Sequence, residues 1–243
     1  MVELFSYFSY CICLFLAFKY KISLIPIYTC FVVFIDESRF LFEKLYKHSS
    51  NDPDVNKNSF AESISIVFQP EIAILFLPAL IAIKTGQLYI TELVICAILL
   101  CVTQVLVIKY FMKSAERYNR RILYVAAILS FSICSVLMVL IDHNGYYLFI
   151  SVSFLIISIL LAVINVKTKV SIHCSVISLV AMTIALFFWP VGIVFLFLIP
   201  LVSWSRLYLK EHTLNQVLLG CFVGIMVSTL VYMLMDTYMN QFF

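Results

Sequence analysis

Two histidines carry most of the chemical potential of this sequence. His173 lies in "VKTKVSIHCS" beside Lys167 and Lys169, and His212 lies in "WSRLYLKEHTLNQ", Trp204 to Gln216, with Arg206 and Lys210 just before it. Imidazole titrates near pH ~6.5, so one ring can attack as a neutral nucleophile while another donates a proton at the same pH. Arginine grips phosphate oxygens in pairs and lysine adds a point charge. The chemistry that uses both is phosphoryl transfer, where catalysis is mostly positioning and charge stabilisation. With five glycines in the whole chain there is no glycine-rich phosphate loop, and no cluster of acids marks a metal site, so a cofactor-free and metal-free mechanism is expected. Each histidine also has a plain reading as a polar residue at a membrane boundary. His48, in a long polar stretch, and His143, in a turn on the opposite side, are weaker candidates.

The elements that must position these residues are apolar. Of the 243 residues 64% are hydrophobic and 12% charged, with a mean hydropathy of +1.08; a soluble domain carries about 25% charged residues. The apolar residues fall into runs near the ~20 that cross a ~30 Å hydrocarbon core, and at that length only helices satisfy every backbone group in lipid. The expected fold is all-α: a polytopic transmembrane helix bundle of about seven spans preceded by an N-terminal pair of short hydrophobic runs. The pair covers residues 2–18 and 22–35. A polar segment at 36–62 begins like an interfacial amphipathic helix, ends as a loop, and separates a 1–62 region from a 63–243 helical domain. The spans are read at 63–83, 88–108, 122–141, 146–166, 172–188, 190–205 and 213–235, joined by very short turns such as "KTGQ" and "DHNG".

Alternation across the membrane then sorts the polar stretches. Those at 36–62, 109–121, 167–171 and 206–212 share one side and hold thirteen of the sixteen Lys and Arg; the opposite turns hold Lys84. The positive-inside rule assigns the charged side, with both histidines, to the cytoplasm. The amino terminus lacks the basic leading region and small-residue cleavage site of a removed signal peptide. A net charge of +3 without basic runs excludes nucleic acid as a partner. The eight cysteines lie in or at the ends of apolar runs without paired spacing and are read as small packing residues.

Three ordered fragments resemble the type 2 phosphatidic acid phosphatase superfamily, whose motifs run K-x6-R-P, P-S-G-H and S-R-x5-H-x3-D. Here they are Lys113 and Arg120 in "KSAERYNR", Ser171 and His173 in "VSIH", and Ser205, Arg206 and His212 in "SRLYLKEH". The last two look most like a bacterial and archaeal branch, and the resemblance covers roughly residues 63–235. It implies that His212 is the nucleophile forming a phosphohistidine and that His173 protonates the leaving group. It further implies that Lys113, Arg120 and Arg206 hold the phosphoryl oxygens, with Ser171 as an added donor. Lys169 has no counterpart in the motif and, beside Ser171, is read as an extra phosphate ligand. The implied function is an integral membrane phosphatase acting on a lipid phosphate or polyprenyl (isoprenoid) diphosphate. Two other readings stay open: a phosphotransferase on the same scaffold, and an inactive member or transporter that binds anionic lipid.

The fragments depart from the family at three places. Arg121 stands for proline, Ile172 for glycine, and Gln216 for the aspartate that orients the nucleophile. An amide oxygen at i+4 can accept the ring N–H but supplies no negative charge. Thr213-Leu-Asn-Gln216 equally fits a capping box that opens a helix, so Gln216 is either a catalytic partner of His212 or a helix cap.

Overall fold

The computed structural model describes residues 55–85, 90–99, 119–141 and 145–242. The N-terminal hydrophobic pair, most of the polar 36–62 segment, and Lys113 lie outside the described residues. Residues Phe60–Phe243 form one compact unit. The described helices are α1 (Val55–Val67), α2 (Pro70–Thr85), α3 (Ile90–Ala97), α4 (Asn119–Ile141), α5 (Tyr146–Ile164) and α6 (Ile172–Phe187). A 3-10 helix, Val191–Phe197, then runs into α7 (Leu198–Tyr208), and α8 is Leu214–Phe242. Among the described residues there is no strand.

Four helical stretches are long and apolar enough to cross a membrane: Ile122–Ile141, Tyr146–Ile164, Val191–Tyr208 and Leu214–Met235. They have 18 to 22 residues, which at ~1.5 Å per residue reach ~30 Å. Their outer faces agree with a lipid surround. On α4 the exposed residues Val125, Leu129, Ile133, Val136 and Leu140 recur every three or four positions, an apolar stripe that in water would be a large exposed patch. The opposite stripe, with Ala127, Phe131, Cys134 and Met138, is buried.

Two runs differ from the sequence expectation. The run read as one span over 63–83 is two helices, α1 and α2, bent by 44° at the break around Phe68 and Gln69. Pro70 has no N–H to donate and drives the residue before it out of helical geometry. It therefore opens α2 as the first helical residue, with the Gln69 carbonyl accepting from Ile72 and Ala73 at 3.1 Å. The span read at 190–205 starts as a 3-10 helix and continues to Tyr208, which carries Arg206 into the last turn of α7. Gly192 is needed there, because a Cβ at that position would come within 2.3 Å of the Ile184 carbonyl oxygen on α6.

The packing that matters for function is between α6 and α8. Gly220 and Gly224 form a Gly-x3-Gly pair on α8, and Cβ atoms there would lie 2.8 Å from the Ser171 carbonyl and 2.2 Å from the Ser175 carbonyl. Helices in lipid gain little from burying apolar surface against each other, so close backbone approach through small residues holds them together. Ser175 and Ser178 supply the facing small side chains, and Thr183 Oγ1 and Ser228 Oγ share a buried hydrogen bond of 2.8 Å two turns deeper. Further along, Phe149 of α5, Phe187 of α6 and Tyr232 of α8 meet edge to face, with ring centroids 4.8 to 6.5 Å apart.

Candidate active site

The α6–α8 contact sets the starts of both helices side by side, and each start carries a histidine. His173 is the second residue of α6, and Ser171 is its N-cap, fully buried, with Oγ accepting from the Cys174 N–H at 3.5 Å. The Ser171 N–H donates to the Gln216 carbonyl at 3.3 Å. One backbone bond thus ties the segment bearing His173 to the first turn of α8, immediately after His212. Ser171 is a structural cap here.

His212 reaches this place through a tight turn at the end of α7. The Glu211 N–H donates to the Arg206 carbonyl at 3.2 Å and the Lys210 N–H to the Leu207 carbonyl at 3.0 Å. These are the two bonds of a Schellman motif, and Lys210 occupies its left-handed position at φ 54°. Glycine is the usual residue there; a lysine in that conformation costs on the order of 1 kcal/mol. The turn reverses the chain within four residues, so Glu211 and His212 come back over the end of the helix that holds Arg206.

Gln216 caps α8 and also contacts the His212 ring. Its Oε1 lies 3.0 Å from His212 Nδ1 and 3.3 Å from the backbone nitrogen of Thr213. The Thr213 N–H can only donate, so the atom it meets is the amide oxygen, and the same oxygen can only accept from the ring. Nδ1 therefore carries the proton, and in the neutral ring Nε2 keeps its lone pair. That is the tautomer a nucleophilic imidazole needs.

Arg206 is 7% exposed and is held by two partners. Nη1 donates to Ser65 Oγ on α1, and Nη2 pairs with the Glu211 carboxylate; Nε is buried with no hydrogen-bond partner. The neighbouring Ser205 Oγ donates to the Ala61 carbonyl at 2.6 Å, a second tie to α1. The His173 ring is governed first by its burial, and Arg206 and His212 both lie close enough for their charges to act on it.

The remaining candidates are placed less centrally. Lys167 and Lys169 are exposed in the loop from α5 to Ser171. That loop is fixed by Asn165, which donates from Nδ2 to Tyr124 Oη of α4 at 2.9 Å and accepts the Val170 N–H at 3.1 Å. Arg120 lies in the first turn of α4. Among the described residues no three His, Cys, Asp or Glu side chains gather into a metal-binding group. Sequence spacing missed Ser65 and Glu211. Glu211 was visible as the residue before His212, whereas nothing local marks Ser65.

A family model described as the PAP2 superfamily matches residues 164–239. This range runs from the end of α5 into α8 and contains His173, Arg206, His212 and Gln216, so the resemblance read from the motifs is shown for this part of the chain. It supports a phosphatase-type phosphoesterase. No curated protein and no solved structure matches the chain.

Proposed function

We propose, from this PAP2-superfamily segment, that the protein is a multi-pass integral membrane phosphatase that hydrolyses a lipid phosphate or isoprenoid diphosphate without a metal. The observation that carries the reading is the cluster of Arg206 and the two histidines, with Arg206 Nε buried and unsatisfied. A buried donor without a partner costs ~1–3 kcal/mol, and a phosphoryl oxygen is an acceptor of the right charge to relieve it.

In the proposed reaction His212 Nε2 attacks phosphorus, the P–N bond forms as the bond to the leaving oxygen breaks, and His173 gives that oxygen its proton. Water then attacks the phosphohistidine, His173 takes the water's proton, and phosphate leaves with His212 restored. Gln216 keeps Nδ1 protonated throughout. Arg206, joined by Lys113 and Arg120, neutralises the phosphoryl oxygens, while Ser171 and Lys169 add donors at the entrance to α6. The N-termini of α6 and α8 favour an anion between them.

An amphiphilic substrate is supported by the surroundings of Arg206. Phe60, Trp204 and Tyr208 are exposed on the outer face of the same end of α7, with Trp204 stacked on Tyr208 at 5.2 Å and tilted against Phe60 at 6.1 Å. Aromatic rings of this kind sit at headgroup depth, where a lipid can offer its phosphate to the site and keep its tail in the bilayer. The full chain is read as about seven spans with the site on the cytoplasmic side, from the charge asymmetry of its loops. The deciding experiment is phosphate release from a panel of lipid phosphates and diphosphates by purified protein. His212→Ala is expected to abolish release and the acid-labile phosphoprotein together; full activity in that variant would overturn the assignment.

A further inference from the structure

Arg206 has a division of labour among its nitrogens that the family motif does not explain. A guanidinium offers phosphate a bidentate fork along its Nε and Nη2 edge. In this structure that edge is half used: Nη2 carries the Glu211 carboxylate and Nε carries nothing. Ser65 sits on Nη1, away from the fork, and Ser205 pins the adjoining backbone to the same helix through Ala61. The two partners also differ in freedom. Ser65 is buried, whereas Glu211 is 46% exposed and follows the Lys210 turn, so its carboxylate can exchange Arg206 for water.

We propose that Ser65 and Glu211 prepare Arg206 for phosphate from opposite sides. Ser65 is a positioning residue that fixes the plane of the guanidinium, and Glu211 is a resident carboxylate that occupies the fork until substrate phosphate displaces it. This rests on the reading of Arg206 as a phosphate ligand. It extends the working site to α1, which lies outside the matched range of 164–239. Chemically the exchange is of one anion for another: a single carboxylate charge leaves, and a phosphate monoester with up to two charges and a second oxygen for Nε takes its place.

The two roles have opposite signs. Ser65→Ala frees the guanidinium to rotate, and a hydrogen bond to a charged group lost in a buried setting corresponds to about a tenfold weakening. Glu211→Gln removes the competitor, and an exposed ion pair of this kind corresponds to a gain of about threefold. The test uses the full chain in detergent, with two readouts: calorimetric binding of inorganic phosphate, and turnover of a diacylglycerol phosphate. Ser65→Ala is expected to weaken phosphate binding and raise KM about tenfold with kcat little changed, and Ser65→Thr, which keeps the hydroxyl, to restore both. Glu211→Gln is expected to tighten phosphate binding and lower KM. Unchanged phosphate binding in Ser65→Ala, or weaker binding in Glu211→Gln, overturns the proposal. His212→Ala separates this from the assignment of function: turnover in that variant sinks the phosphatase reading, while the phosphate-binding shifts still decide the roles of Ser65 and Glu211.

Discussion

His212 Nδ1 and Gln216 Oε1 lie 3.0 Å apart, one helical turn from each other, and the same oxygen accepts the Thr213 N–H at 3.3 Å. One amide thus opens α8 and orients the ring. Gln216→Ala is expected to lose both effects: about 1 kcal/mol of stability from the cap and roughly a hundredfold in turnover as the ring loses its tautomer and direction. Gln216→Glu keeps the reach and adds a charge that stabilises the imidazolium, so turnover at or above that of the parent is expected. Phosphate release and thermal unfolding measured on the same samples separate the two effects.

The role proposed for His173 depends on the leaving group. An alkoxide needs a proton as it departs, whereas nitrophenolate leaves without one. His173→Ala is expected to lower turnover of an alkyl phosphate by about 10²–10⁴ and to leave nitrophenyl phosphate far less affected. Equal losses on both substrates would remove His173 from proton transfer.

Lys210 holds a left-handed conformation at φ 54° in the turn that returns the chain from Arg206 to His212. Lys210→Gly relieves the clash between Cβ and the backbone, and a gain of up to about 1 kcal/mol in stability is expected. Lys210→Val, β-branched at the same position, is expected to destabilise by more than the glycine gains. Denaturant or thermal midpoints in one detergent provide the comparison.

Gly224 faces the Ser175 carbonyl so closely that a Cβ would stand 2.2 Å from it, against 2.8 Å for Gly220 and the Ser171 carbonyl. Gly224→Ala is therefore expected to push α8 off α6 and destabilise by about 1–3 kcal/mol. Gly220→Ala, nearer the histidines, has the milder clash but strains the bond between Ser171 and Gln216. A smaller loss of stability with a proportionally larger loss of turnover is expected for it, checked by assaying both variants below their unfolding midpoints.

The sequence by itself determined the all-helical class and the membrane setting, because apolar runs of span length leave the backbone only its own carbonyls to bond with. It also placed the start of α8 within a residue: Thr213 to Gln216 is a local pattern, and capping depends only on neighbours. The ordered histidine and arginine fragments were legible for the same reason, and the part of them from Ser171 onward falls in the range matched by the PAP2 superfamily. Pro70 announces the helix break at Gln69, yet the run 63–83 reads as one span, since hydropathy continues across a kink that the backbone cannot. Other features belonged to the tertiary structure alone. The contact of Gln216 Oε1 with the His212 ring needed the ring's position. The partner of Arg206 on α1 is 141 residues away along the chain, and no spacing rule reaches that far. The bond from Ser171 to Gln216 exists because two glycines on α8 let two backbones approach, a distance set by the packing of whole helices rather than by any residue's own preference.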